Sequence, residues 1–387
     1  MAGPGAFDPK MMFDYPDPYP MLADLRRTQP VMRGEFMNRV TYLLTKYDDC
    51  LAVLKDATTY SSRSNAVVGQ IMGRTLIEMD GKEHTRHRAL VQPVFTPKGM
   101  NGLAPVLDRM IGELLDELNG ETAVDLVPRF TERFPVQVMA HLIGVPREDH
   151  PHFQRWAIDI IGFPRDIERG MAAAAALRDY LLPVIAARRS EPRDDVISKL
   201  VAGEVEGHGL TDDEVVSFLR LLAPAGAETT FRLIGNMLVA LLTVPERWER
   251  VRGDRALLPW AVEETLRWET SVCMISRQTT ADVVIRDVPI PAGNNLSVAI
   301  ASANRDEEHY ERPDDYDLDR RADDHLAFAF GRHHCLGYHL ANLEARLALG
   351  ALLDRFPALR LDPDAPAPTI TGLAFRSPKS LPVRLHG

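Results

Sequence analysis

The stretch that decides the fold is Phe328-Ala329-Phe330-Gly331-Arg332-His333-His334-Cys335-Leu336-Gly337. Cys335 lies between two glycines and just before an apolar helical pattern that runs through Leu340, Leu343 and Leu347. A cysteine near a helix N-terminus meets free backbone N–H groups and the positive end of the helix dipole, which lower its pKa and favour the thiolate. Flanking glycines let the backbone approach a flat group closely. The pattern favours a cofactor thiolate over a buried structural cysteine.

A second interpretation of this segment is zinc binding. His333, His334, Cys335 and His339 all carry atoms that can ligate zinc. Neighbouring ring nitrogens would need an unusual backbone to converge on one ion, which disfavours this reading. A non-catalytic metal-binding module stays open as an alternative at this point.

Composition places the chain among globular proteins. Its 387 residues are 45% hydrophobic and 26% charged, with a net charge of −10 that argues against a nucleic-acid partner. Three cysteines are too few for a disulfide framework. The proline-rich start lacks the features of a signal peptide, and the longest apolar stretch, 233–244, is shorter than the ~20 residues that span a bilayer. We expect a cytoplasmic protein with no membrane partner.

Hydrophobic spacing predicts a mainly α fold with small β-sheets. Apolar residues recur at intervals of three and four over 48–55, 100–118, 129–142, 171–189, 211–242, 259–268 and 338–354. Strand signals are confined to 39–44, 283–285, 296–301 and 381–385. The glycine-rich stretch 203–209 is interpreted as a mobile loop between helices.

One predicted helix is long enough to cross the whole molecule. Thr211 and Glu214 form a capping box, and the helical pattern then continues to Leu242. Its middle contains Pro224, which has no N–H to donate, and Thr229, whose hydroxyl can reach the carbonyl of Ala225. We expect the helix to open locally there. The small, polar centre indicates either a cavity or an ordinary kink.

The quoted stretch resembles the haem-ligand loop of the cytochromes P450, Phe-x-x-Gly-x-His-x-Cys-x-Gly. Phe328, Gly331, His333, Cys335 and Gly337 match it in register. The resemblance covers about residues 17–385 and implies a cytochrome P450 fold. It implies an N-terminal segment at 1–20 and one haem domain at 21–387.

Three further segments match the family in the right order. Glu264 and Arg267 are similar to its Glu-x-x-Arg pair, and Arg320 lies where a third arginine completes a structural lock. Residues 225–230 look like its oxygen-binding groove, with Ala225 and Gly226 along the haem, Thr229 bonding oxygen and Glu228 relaying protons from solvent. The segment 80–88 resembles the propionate-binding helix. The propionate partners that the resemblance implies are His84, Arg88, Arg277 and His333.

Three residues depart from the family pattern. Ala329 replaces a frequent glycine in the ligand loop, Pro224 enters the crossing helix, and Ser271 occupies a position often held by proline. None of these changes removes a chemical group, but Ala329 is expected to restrict the loop and Pro224 to enlarge the groove.

The substrate pocket implied by the resemblance is apolar, which favours a hydrophobic substrate such as a terpenoid, steroid, polyketide or fatty acid. Its expected walls are Val67, Val68, Ile71, Met72, Leu222, Ala223, Val272, Met274, Ile275, Leu373, Ala374 and Phe375. Core packing explains each of these residues equally well.

The resemblance implies a haem-thiolate monooxygenase that carries haem b on Cys335 and uses O2 as co-substrate. No flavin or iron–sulfur segment is visible, so a separate ferredoxin and its reductase are expected to supply electrons, docking beside Arg332 and His334. Two alternatives remain: a peroxide-driven or non-oxygenating haem-thiolate enzyme, and a non-catalytic module that binds haem or zinc.

Overall fold

A computed structural model describes residues 11–36, 39–163, 166–205 and 207–386 of the chain. Helices dominate these ranges, as the sequence predicts. The α-helices are α1 (Met11–Asp14), α2 (Tyr19–Thr28), α3 (Tyr47–Lys55), α4 (Gly69–Met72), α5 (Gly81–Val91), α6 (Ala104–Asp116), α7 (Arg133–Ile143), α8 (His150–Ile161), α9 (Ile167–Ser190), α10 (Val196–Ala202), α11 (Asp212–Leu242), α12 (Pro245–Gly253), α13 (Leu258–Trp268), α14 (Ile300–Ala303) and α15 (Tyr338–Arg355).

The strands form small sheets at the margins of the helical body. They are β1 (Val31–Phe36), β2 (Arg39–Leu44), β3 (Tyr60–Ser61), β4 (Ala123–Asp125), β5 (Glu204–Val205), β6 (His208–Gly209), β7 (Ile275–Thr279), β8 (Val283–Ile285), β9 (Val288–Ile290), β10 (Asn295–Val298), β11 (Arg360–Leu361), β12 (Ile370–Thr371), β13 (Ser377–Pro378) and β14 (Pro382–Arg384). The largest sheet has the order β1-β2-β10-β7-β3, in which only the β2–β10 pairing is parallel. The predicted fold class is confirmed.

Helix α11 begins at the capping box that the sequence predicts. The Glu214 N–H donates to Thr211 Oγ1 over 3.3 Å, and the Thr211 N–H donates to the Glu214 carboxylate over 2.8 Å. The helix then runs without interruption through Pro224 to Leu242, so the expected local opening is not a break. Most of its second half is buried. It packs against α7, α8, α9, α13 and α15 and so forms the axis of the molecule.

Two sequence predictions on secondary structure are wrong. Glycine-rich stretch 203–209 is not a plain loop, because β5 pairs with β6 in a short antiparallel hairpin around Glu206, which lies outside the described residues. Ala301, predicted at the end of a strand, belongs to α14, because an apolar run alone does not separate a buried strand from a buried helix.

The N-terminal region packs on the C-terminal one. Helix α2 starts at Tyr19, so the expected boundary at residue 20 falls inside a helix. The Met12 carbonyl accepts hydrogen bonds from the backbone N–H groups of Leu373, Ala374 and Phe375. Residues 1–10 of the expected N-terminal segment lie outside the described residues.

Helix α9 is long and apolar enough, by length and composition alone, to cross a membrane. One of its sides is buried through Leu177, Leu181 and Ile185, and the helix packs against α8 and α11. Its buried Arg188 pairs with Asp195 at 2.6 Å. These contacts are those of a helix that belongs to the protein core.

Candidate active site

The ligand loop is held by its own backbone. The Cys335 N–H donates to the Phe328 carbonyl over 2.9 Å, and the His334 N–H donates to the Gly331 carbonyl over 3.1 Å. Gly331 has φ +72°, and a Cβ there would lie 2.7 Å from the Leu54 carbonyl oxygen of α3. Glycine is therefore required at 331 by the packing of the loop on α3. The Phe328 ring packs edge-on against Tyr338.

Cys335 precedes α15 as predicted, but its pKa moves in the direction opposite to expectation. Burial raises the pKa of the thiol. The backbone N–H groups of Gly337 and Tyr338 and the charge of Arg88 oppose this effect only in part. The residue is nevertheless accessible to solvent. A bound metal cation is needed to favour the thiolate fully.

Ala329 adopts a left-handed backbone conformation with φ +58°. For an L-residue this conformation costs about 1–2 kcal/mol, because Cβ crowds the following carbonyl. The glycine that is frequent at this position would carry no such cost. The departure noted in the sequence is therefore a source of local strain beside the ligand.

We expect Ala329→Gly to raise the free energy of unfolding by about 0.5–1 kcal/mol, the relief of strain less the added chain entropy of glycine. Ala327→Gly is the matched control in the same loop, because Ala327 has ordinary backbone angles. The control should lose about 0.5–1 kcal/mol. Chemical denaturation of both variants checks the prediction, and a loss in Ala329→Gly would contradict it.

His84 and His333 meet with their ring centroids 4.3 Å apart. Burial lowers the pKa of each histidine to about 4. The charge of Arg88 lowers the pKa of His84 further, and the neighbouring His84 does the same for His333. His84 Nδ1 and His333 Nε2 are buried without a hydrogen-bond partner. His333 Nε2 lies 3.5 Å from Asp80 Oδ1, at a distance that brings attraction but no well-formed hydrogen bond.

Two arginines border these histidines. Arg277 on β7 is 5% exposed, and burial lowers its pKa to about 10 while Asp80 opposes the shift. Burial likewise lowers the pKa of Arg88, which extends from α5 toward Cys335. Within the described ranges neither guanidinium forms an ion pair. Buried cations and orphaned ring nitrogens around one thiol fit a group that brings two carboxylates, as haem does.

Glu264, Arg267 and Arg320 are brought together in the interior. Arg267 binds both carboxylate oxygens of Glu264 over 2.8 Å, and both side chains are fully buried. Arg320 Nε lies 3.3 Å from Glu264 Oε1. Arg267 also donates to the carbonyls of Asn304, Pro313 and Asp315, which belong to the segment before the ligand loop. The network therefore anchors that segment to α13.

Helix α11 presents Ala225 and Thr229 on one accessible face. The Thr229 hydroxyl donates to the Ala225 carbonyl over 2.7 Å, as predicted. Ser271, one of the departures from the family pattern, donates to the Thr229 carbonyl over 2.9 Å. A Cβ on Gly226 would lie 2.3 Å from Met139 Sδ, so the packing of α7 on α11 requires glycine at this position.

Glu228 is expected to relay protons to Thr229, but in the structure its carboxylate pairs with another side chain. Its carboxylate is 7% exposed and forms a short ion pair with Arg232 one turn along the helix. A relay between Glu228 and Thr229 therefore requires the Glu228 side chain to leave Arg232.

The expected pocket residues divide into two groups. Ile71, Met72, Leu222 and Ala223 are buried in the main hydrophobic core with Val68 at its edge, so packing accounts for them. The half-buried remainder come together, because Val272 bridges Phe375 and the Cys273 N–H donates to the Ala374 carbonyl. Leu373, Met274 and Ile275 are half-buried beside them. The side chain of Val67 lies outside the described residues.

Sequence reasoning missed two acids in this region. Asp80 precedes α5 and binds the Ser61 hydroxyl and the Ser62 N–H while it faces His333. Its place before a helix was a usable signal. Glu269 is buried between Arg376, at 2.5 Å, and the Tyr19 hydroxyl, at 2.8 Å. No local pattern marks it, because its partners come from both ends of the chain.

The zinc alternative finds no support in the site. Among the described residues, which include His333, His334, Cys335 and His339, no group of three His, Cys, Asp or Glu side chains is arranged to hold a metal ion. A single thiolate with basic groups around it fits a metal ion whose other ligands come mostly from a cofactor and not from the protein.

Comparison with known proteins places this arrangement in context. The sequence profile of the family described as Cytochrome P450 matches residues 136–381. Cytochrome P450 107B1 of Saccharopolyspora erythraea is 36% identical over 352 residues, which cover 87% of each chain. The 6-deoxyerythronolide B hydroxylase of the same organism is 34% identical and covers 96% of each chain.

Solved structures of cytochromes P450 also superimpose on this chain over nearly its whole length. The cytochrome P450 PksS of the bacillaene polyketide synthase of Bacillus subtilis superimposes with a TM-score of 0.90 at 33% identity, covering 99% of this chain and 100% of that one. The structure of CYP109E1 from Bacillus megaterium in complex with testosterone gives a TM-score of 0.88 at 33% identity, covering 96% of this chain and 100% of that one.

Proposed function

The chain belongs to the cytochrome P450 family, and on that premise we propose that it inserts one oxygen atom into a hydrophobic small molecule with electrons from a ferredoxin and its reductase. It is a haem-dependent monooxygenase that uses haem b and O2. The observation that supports the assignment of its site is the meeting of His84 and His333, whose ring nitrogens Nδ1 and Nε2 are buried without a partner among the described residues, with buried Arg277 and half-buried Arg88, which form no ion pair there.

Each proposed role is assigned to a named side chain of the ligand loop, of α5, of β7 or of α11. Cys335 ligates the iron through its thiolate, supported by the N–H groups of Gly337 and Tyr338. His84, Arg88, Arg277 and His333 neutralise the propionates. When bound, thiolate-ligated haem supplies oxygen activation, because the thiolate donates electron density that favours O–O cleavage. Thr229 offers its hydroxyl on the accessible face of α11, and Glu228 holds the proton that Thr229 passes on.

The surface beside Cys335 supports docking of an acidic electron carrier. Phe330 is 44% exposed, and Lys55 Nζ lies 5.3 Å from its ring centroid. Exposed Arg332 donates to the Gly81 carbonyl and the Thr85 hydroxyl over 3.1 Å, which ties the loop to α5. This local positive charge runs against the net charge of −10. We place ferredoxin here, beside Phe330, Lys55, Arg332 and half-buried His334.

The substrate is proposed to be a hydrophobic molecule of the polyketide, steroid or fatty-acid class. The half-buried apolar residues around the Val272–Phe375 bridge support this class. Relatives point the same way by name: one is a polyketide biosynthesis cytochrome P450, and another was solved with corticosterone. The bacterial cytochrome P450 relatives support the proposal of a cytoplasmic location. We treat residues 21–387 as one haem domain.

The proposed function is tested by absorption spectroscopy of the haem and by isotope labelling of the product. The reduced carbonyl complex of the purified protein should show the red-shifted band from which the family takes its name. A hydrophobic compound library is screened for the spectral change caused by binding, and hits are incubated with 18O2, ferredoxin and reductase. One labelled oxygen atom in the product is expected. Label from peroxide would favour the peroxide-driven alternative instead, and product formed without oxygen uptake would favour the non-oxygenating one.

A further inference from the structure

A cavity of about 440 Å³ lies between α8, α11 and the C-terminal segment around β13. The residues of α11 that line it are Pro224, Ala227, Glu228, Phe231 and Arg232. Because successive helical residues are rotated by about 100°, these five form one broad stripe, and Ala225 and Thr229 lie along its edge, next to Arg232. Neither Ala225 nor Thr229 lines the cavity, so the cavity borders the face that carries Thr229, and Glu228 lies on the cavity side of that border.

Glu228 is held in this cavity by a single partner. Arg232 forms the short ion pair with it and donates from Nη1 to Ser377 Oγ over 2.8 Å. The guanidinium lies 4.9 Å from the Phe231 ring and 5.6 Å from the Phe375 ring. Its Nε is buried without a hydrogen-bond partner. The Ser377 hydroxyl and the two aromatic rings therefore remain in contact with Arg232 when Glu228 moves away.

Glu132 is a second acid on the cavity wall. It lies between the single helical turn Val127–Thr131 and α7, and it is half-buried. No described residue donates a hydrogen bond to its carboxylate. Burial raises its pKa, Glu228 and Asp125 raise it further, and Arg232 opposes them. Glu132 can therefore hold a proton at a higher pH than an ordinary glutamate.

The nearby acid Asp125 is not available for the same role. It accepts hydrogen bonds from the N–H groups of Val127 and Leu381 over 3.0 and 2.8 Å and from the Ser380 hydroxyl over 2.7 Å. These bonds occupy both of its carboxylate oxygens and hold β4 to the C-terminal segment. Among the described acids that influence Glu132, only Glu228 shares the cavity with it.

We propose that this cavity carries solvent protons to Glu228 and that Glu132 is the group that takes them up. Water in the cavity protonates the Glu132 carboxylate. The Glu132 O–H then gives its proton, directly or through one water, to the Glu228 carboxylate as Arg232 releases it. Glu228 then passes this proton on toward Thr229 and returns to its ion pair with Arg232, and Glu132 is reprotonated from solvent, so each cycle moves one proton inward and restores the charge of the chain. The inference rests on the proposed function, which consumes two protons for each water formed.

Glu132→Gln tests the inference, with Glu148→Gln as control because Glu148 is exposed and lies outside the cavity. In infrared pH titration of the resting haem-loaded enzyme, the carboxyl absorption that persists above the usual glutamate range should contain a Glu132 band beside that of fully buried Glu344, whose pKa burial also raises. The Glu132 band should appear in the difference spectrum between wild type and Glu132→Gln and be missing from the difference spectrum between wild type and Glu148→Gln. In turnover, product per electron pair should fall on the order of tenfold in Glu132→Gln, with a larger solvent isotope effect and an unchanged KM.

Ala157→Leu supplies an independent check, since it fills the cavity from α8 without touching a carboxylate. It should reduce coupling while the infrared band remains. If Glu132→Gln matches Glu148→Gln in band, coupling and isotope effect, the inference is overturned while the monooxygenase stands. If the wild-type protein gives no haem-thiolate spectrum, the proposed function fails, and the infrared titration still decides whether Glu132 holds a proton.

Discussion

Replacing Glu264 by alanine is expected to lower the free energy of unfolding by about 3–5 kcal/mol. Glu264 is fully buried and accepts hydrogen bonds from Arg267, Arg320 and the Asp317 N–H. Its removal leaves a fully buried guanidinium without a counter-charge, although the three carbonyl bonds of Arg267 remain. Because a domain is stabilised by only about 5–15 kcal/mol, much of the variant should fail to retain its haem at physiological temperature. Chemical denaturation followed by circular dichroism and haem absorbance measures the loss.

The chain contains a matched control for this prediction. Glu249 and Arg252 form a pair with the same i, i+3 spacing on α12, with contact at 2.5 Å, but about half of each side chain is exposed. Glu249→Ala should cost at most about 0.5 kcal/mol, because water screens the charges in both states. A loss in Glu264→Ala no greater than in Glu249→Ala would show that the buried network does not hold the ligand loop.

The comparison of these two pairs shows how far sequence alone could go. Spacing predicts that Glu264 and Arg267 share a helix face, and taken alone it assigns them the small energy of a surface pair. Burial decides the magnitude, and burial comes from α13 packing on residues 304–317, which local spacing does not reveal. Resemblance to a family supplied Arg320 as a third member. Local physical reasoning could not have done so, since Arg320 is 56 residues away from Glu264.

The secondary-structure elements show the same division: local signals could be predicted from the sequence, and contacts with distant segments could not. Capping chemistry predicted the start of α11, because Thr211 and Glu214 act locally. Strand β7, which positions Arg277, was missed, because it is short and polar and is stabilised by pairing with β10 and β3. Glu132 was missed for a similar reason. The cavity that it lines and the charges of Glu228 and Arg232 belong largely to α11, and nothing in its neighbourhood along the chain marks it.

Cys335→Ser is expected to abolish the red-shifted band of the reduced carbonyl complex completely. A serine hydroxyl stays protonated where burial already raises the pKa of the more acidic thiol, so it cannot provide the anionic soft ligand. The fold should survive, because the loop is held by backbone hydrogen bonds and by Gly331 packing on α3. Absorption spectra and circular dichroism, recorded together, separate loss of the ligand from loss of structure.

The other two cysteines are the controls for this substitution. Cys50 and Cys273 are fully buried, and burial raises the pKa of both, to about 12 for Cys273. Neither thiol faces the cleft: Cys50 donates to the Leu44 carbonyl, and Cys273 packs with Tyr19 and Leu22. Cys50→Ser and Cys273→Ser should keep the band in whatever fraction folds. A band that survives in Cys335→Ser, or disappears in a folded Cys273→Ser, would place the iron ligand elsewhere.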